Sequence, residues 1–134
     1  MAAPAVSAAR VDAFITKVST EYEAVHRAFE HQFWGTKMAL AGPSPEGLPY
    51  STEQLTATKS AMEGFLADTA LLKETRELLT APGLTAEQTK TLKIFEKTAL
   101  CYVLETKEAE ALRAQCMDME GTLEAARNTL SLGY

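Results

Sequence analysis

Between residues 11 and 33 the chain repeats apolar side chains with a regularity that leaves little choice of structure. Val11, Ile15, Val18, Tyr22, Val25, Phe29 and Phe33 follow one another in steps of 4, 3, 4, 3, 4 and 4. Only an α-helix brings such positions onto one face, because its period of about 3.6 residues matches the mean of steps of 3 and 4. Phe14, Trp34 and Met38 widen the stripe, and no proline or glycine interrupts it from Arg10 to Ala28 or from there to Gly35. The pattern predicts one long helix over about residues 8–40, relaxed at Gly35. A helix that carries a stripe of this length must bury it against other helices.

The rest of the chain supplies them. Three prolines and two glycines between Ala41 and Tyr50 exclude helix and mark a loop. Ser51-Thr52-Glu53-Gln54 then reads as a capping box, in which the Ser51 hydroxyl accepts from the Gln54 N–H and the Gln54 side chain reaches back to the Ser51 N–H. A second helix is expected over 52–80, with Leu55, Met62, Phe65, Leu66, Leu71, Leu72, Leu78 and Leu79 as its apolar set. Gly64 within it marks either a close helix contact or an idle surface position. Ala81-Pro82-Gly83-Leu84 ends that helix, and Thr85-Ala86-Glu87-Gln88 is a second capping box. A third helix is expected over 86–105 and a fourth over 108–128, with a break at the polar cluster Glu105-Thr106-Lys107-Glu108; one continuous helix is the alternative.

The expected fold class is therefore all-α, a bundle of three to four helices with one long N-terminal helix. The expected organisation is a flexible tail at 1–8, a single helical domain at 9–128, and a tail or cut point at 129–134. The end, Asn128-Thr129-Leu130-Ser131-Leu132-Gly133-Tyr134, is apolar and reads as a cut within a larger protein.

Charge narrows the range of partners. Thirteen Lys and Arg stand against eighteen Asp and Glu, a formal net charge of −5. Phosphate contacts need a basic footprint, so nucleic-acid binding is not expected, and neither is binding to a membrane through a basic amphipathic helix. No apolar run reaches the roughly 18 residues of a membrane span. The N-terminus lacks a charged segment ahead of an apolar core, so it does not read as a secretory signal, and a cytoplasmic location is expected. Two cysteines, Cys101 and Cys116, are too few for a disulfide scaffold. On one unbroken helix they would stand roughly 22 Å apart, beyond disulfide reach. They are expected as buried or half-buried free thiols.

Candidate chemistry is sparse. The two histidines, His26 and His31, are five apart. A helical zinc motif needs four, which keeps both rings on one side, whereas five turns the second ring by about 140°. Arg27 between them also repels a cation. Carboxylates at Glu21 and Glu23, Glu74 and Glu77, Glu105, Glu108 and Glu110, and Asp118 and Glu120 lie along helices, where solvated faces account for them. No nucleophile signature and no phosphate-cradling glycine loop is present. No catalytic residue, metal ligand or cofactor is assigned. The densest aromatic point is Phe33-Trp34, a candidate pocket wall or a packing anchor for the end of the long helix.

Taken in order, Val11-Asp12-Ala13-Phe14, the run Phe33-Trp34-Gly35-Thr36-Lys37-Met38-Ala39-Leu40, Leu84-Thr85-Ala86-Glu87-Gln88, Leu92 to Leu100 and Ala111 to Leu123 resemble the N-terminal helical segment of the helical zinc oligopeptidases. These are the angiotensin-converting-enzyme-like peptidyl-dipeptidases and their oligopeptidase relatives. The resemblance spans roughly 11–127, and its sharpest local matches are the aromatic–Trp element and the Asp118-Met119-Glu120 helix with Thr122. It implies a lid over a channel that admits short, flexible peptides, with the zinc motif much further along. No zinc motif occurs here, so no catalytic or metal residue carries over. The Pro-rich loop at 42–49 departs from the pattern. On this reading the partner is the remainder of a larger chain, and an apolar face is left uncovered here. The alternative is a free-standing helical interaction or scaffold protein that buries its seams by self-association or against a helical protein partner.

Overall fold

The computed structural model describes residues 7–130, less the side chains at 117, 121, 124, 125 and 128. Among them the architecture is all-α with one long N-terminal helix. Five helices follow in order: α1 Ala8–Lys37, α2 Thr52–Leu66, α3 Thr69–Leu79, α4 Ala86–Leu100 and α5 Lys107–Thr129. The chain divides into two compact units, one running through Val103 and the other beginning at Leu104.

Each helix start is fixed by a side chain. Ser7, Ser51, Asp68, Thr85 and Thr106 all take the N-cap position and accept a backbone N–H of the first turn. Of the expected 1–8 tail, Ser7 and Ala8 thus belong to α1, and residues 1–6 lie outside the described residues. At the other end Thr129 closes α5 and Leu130 caps it, while residues 131–134 lie outside the described residues.

The helix expected over 52–80 is two helices. It stops at Leu66, and Asp68 caps a new one through a 2.9 Å bond from the Ala70 N–H to its carboxylate. Leu66 and Leu72, on either side of the break, are both buried. The expected helix over 86–105 ends at Leu100. The chain then turns, and Val103 packs with Leu72 and Ala99 in a small core cluster. The break before α5 falls where the polar cluster placed it, with Thr106 as the cap.

In the first unit α1 packs on α2 and α4, and α3 packs on α4. Val11, Phe14 and Val18 of the N-terminal stripe meet Leu78 and Leu92 in the main core, with Ile15, Phe65, Leu71, Leu79, Leu84 and Phe95 around them. Burying such side chains contributes about 1.5–3 kcal/mol each. The stripe is buried only over its first half: Val25, Phe29 and Phe33 are half-buried, and Tyr22 is exposed.

Two polar ties orient α1. Gln88 completes the capping box of α4 with Thr85, its carbonyl accepting the Thr85 N–H at 3.0 Å. Its amide also donates to Asp12 of α1 at 2.7 Å. Gln32, fully buried near the other end, donates to the Pro49 carbonyl at 3.1 Å and accepts the Ser51 N–H at 3.4 Å. The Ser51 hydroxyl accepts the Gln54 N–H as expected, but the Ser51 N–H goes to Gln32. Arg76 of α3 donates to Glu96 of α4 at 3.0 Å across the surface.

Candidate functional site

The four helices of the first unit leave an apolar pocket between them. Val18, Ser19 and Tyr22 come from α1, Phe65 and Leu66 from α2, Leu71 from α3, and Ile94, Phe95, Thr98 and Ala99 from α4. Its volume is about 350 Å³. Val18, Leu66 and Ala99 are buried and form the floor, whereas Ile94 is 52% and Tyr22 is 37% exposed at the rim.

Sequence periodicity explains why the pocket lies here. Val18 and Tyr22 are consecutive members of the α1 stripe, one turn apart. Ile94, Thr98 and, beside it, Ala99 repeat at the same interval along α4. The break at 67–68 brings Leu66 and Leu71 to the same wall. At the junction small residues replace large ones: Ser19, Thr98 and Ala99 do not fill the space that larger side chains would. Among the described residues no charged side chain lines the pocket, and its polar groups are the hydroxyl-bearing Ser19, Tyr22 and Thr98.

The Phe33–Trp34 pair lies elsewhere. The two rings meet edge to face with centroids 5.9 Å apart, and Lys37 Nζ sits 5.8 Å from the Phe33 centroid. Phe33 is half-buried and Trp34 is 57% exposed; neither lines the pocket. The buried residues at this end of α1 are Gln32 and Gly35.

The histidines are separated in role. His26 stacks on Tyr22 with centroids 5.4 Å apart, and its Nε2 is 3.7 Å from Glu30. His31 Nδ1 lies 2.7 Å from the Glu46 carboxylate and so ties α1 to the Pro-rich loop. Burial pushes the Glu46 carboxyl up, but its bonds with His31, its own backbone and Ser44, together with the His31 charge, outweigh that and hold it below the ordinary glutamate range. Among the described residues no group of His, Cys, Asp and Glu side chains is arranged to hold a metal ion. Glu23 pairs with Arg27 and Glu74 with Arg10, both on exposed surface.

Cys101 and Cys116 are free, as expected, but exposed, contrary to the expected burial. Cys101 follows the end of α4, and Cys116 sits on the uncovered face of α5. Hydrophobicity alone placed them inside.

Sequence reasoning missed the pocket as a site. Val18, Tyr22, Phe65, Leu66 and Leu71 read as members of single-helix apolar sets, and spacing within one helix does not show that they meet around an unfilled space. Among the described residues no helix is long and apolar enough to cross a membrane. Comparison with known proteins finds no family model, no curated protein and no solved structure that matches the chain.

Proposed function

We propose that the chain is a helical recognition module whose pocket in the first unit receives the apolar side chains of an amphipathic helix from a protein partner. The observation that carries this reading is the pocket itself, which is open at Tyr22 and Ile94, uncharged, and lined from four helices. Small-molecule sites combine an apolar lining with precisely placed polar groups that fix the ligand's orientation. Here the mouth is open at the exposed Tyr22 and Ile94, which admits side chains delivered by a partner helix. Such helices anchor through residues spaced i, i+3, i+4 and i+7 in an apolar groove.

The test is to select binders from a library of displayed helical peptides on the full chain and measure them again on an Ile94→Glu variant. Ile94 is largely exposed, so this change leaves the fold intact and places a charge at the pocket mouth. Loss of binding with unchanged thermal melting supports the reading. Peptides that bind the variant equally well defeat it.

A second reading follows the resemblance to the gating helices of zinc oligopeptidases. It is favoured by the apolar surface at the end of α1, where Trp34, Met38 and Leu40 are each more than half exposed. On this reading those residues lie against the remainder of a longer chain, and the helices restrict access to a peptidase channel. An immunoblot of the native protein tests it: a band near 14.6 kDa removes this reading, and a much heavier band supports it.

A further inference from the structure

α5 carries an apolar stripe that the pocket does not use. Ala109, Leu112, Cys116, Met119, Leu123 and Ala126 follow in steps of 3, 4, 3, 4 and 3, the spacing of a coiled-coil seam. Leu112 is 61% exposed and Met119 and Leu123 are 71% exposed, and Cys116 is an exposed free thiol. A helix of this length draws most of its stability from covering its apolar face.

The seam is its own complement. Its steps read the same in both directions, and its outer members do too: Ala109 and Leu112 at one end, Leu123 and Ala126 at the other. A two-fold axis midway between residues 116 and 119 sets Leu112 against Leu123 of another copy, Cys116 against Met119, and Ala109 against Ala126. In an isologous interface each pairing between the two copies occurs twice, as these pairs do. Charge agrees with the same register. Antiparallel packing opposes the two helix dipoles, and it brings the acidic first turn, Glu108 and Glu110, toward the last turn that carries Arg127.

We infer that two copies of this chain associate through α5, packed antiparallel about this axis. The seam shares no residue with the pocket lining.

Sedimentation equilibrium of the full chain is expected to give a dimer. Leu112→Glu and Leu123→Glu, each placing two carboxylates in the apolar seam, should weaken it by at least about a hundredfold. Ile94→Glu should leave it unchanged, which separates this interface from the pocket. The orientation is read by cross-linking in a Cys101→Ser, Cys116→Ser background. Chains carrying Leu112→Cys, mixed with chains carrying Leu123→Cys, should oxidise to the mixed disulfide in preference to either like pair. A monomeric wild type, a dimer indifferent to both glutamates, or like pairs in excess overturns the proposal.

Discussion

The ring of Tyr50 lies directly on the bare backbone of Gly35: a methyl group added at Gly35 would stand 1.9 Å from Tyr50 Cδ1 and 2.1 Å from Cε1. Gly35 sits inside α1, where glycine costs about 1 kcal/mol relative to alanine, so the position trades helix propensity for close approach of the loop. Gln32, one turn earlier, fixes the same loop by bonding Pro49 and Ser51 on either side of Tyr50. Gly35→Ala is therefore expected to expel the Tyr50 ring and to destabilise the protein by about 1–3 kcal/mol despite the better helix former. Urea titration followed by circular dichroism measures it. Equal or greater stability would show that the ring relocates without loss.

Gly64 makes the opposite prediction. It is exposed in α2, and an added methyl group meets nothing within 4 Å. Gly64→Ala should stabilise the protein by up to about 1 kcal/mol. The same titration detects this as a raised midpoint at unchanged slope.

Gln88 joins two functions in one side chain, the capping of α4 and the bond to Asp12 of α1. Gln88→Ala should cost about 1–2 kcal/mol through the lost cap and the lost bond to Asp12. Gln88→Glu keeps the carbonyl-like acceptor for the Thr85 N–H but turns the donor facing Asp12 into a second carboxylate. Its stability should fall as pH rises through the carboxylate range, where both groups ionise. Thermal melts at acidic and neutral pH compare the two variants; a pH response identical to wild type would show that the side chain swings away from Asp12.

Glu46 sets a pH response of its own. Its folded pKa is depressed, so the unfolded chain binds more protons around the carboxylate range. The stabilisation is complete above the unfolded glutamate value and is lost as pH falls through the lower folded one. Glu46→Gln should remove that part of the acid sensitivity and loosen the loop from His31. Melting temperature against pH for the variant and wild type measures the difference, and superimposable acid limbs would exclude the contribution.

Leu78 of α3 is fully buried in the main core with Val11, Phe14 and Val18 of α1 and Leu92 of α4. Leu78→Ala should cost about 2–5 kcal/mol through lost transfer energy and the cavity left behind. Denaturant unfolding provides the number, and a loss below 1 kcal/mol would mean that the core collapses into the space.

Much of the architecture follows from local rules acting within a few residues. The stripe from Val11 to Phe33 required a long helix, the prolines between 41 and 50 required a loop, and Thr85 with Gln88 required a helix start at 86. The break at 67–68 was also written locally, in Asp68, but without a glutamate or glutamine three residues on it lacked the second half of a capping box and did not stand out from a surface aspartate. The end of α4 at Leu100 had no local signal. It depends on Val103 packing beside Ala99 onto Leu72, which is distant in sequence.

The site was hidden for the same reason. Ser19, Thr98 and Ala99 are unremarkable on their own helices, and a pocket exists only where packing sets them opposite one another. Likewise, periodicity shows that Tyr22 and Phe33 share a face with buried Val11 and Val18 and that α5 carries an apolar seam, but cannot say which part of a face is covered. Periodicity is a property of one helix and is fixed by covalent geometry and side-chain spacing. Burial is a relation between helices, and it was decided only when α1, α2, α3 and α4 took their places around Leu78 and Leu92.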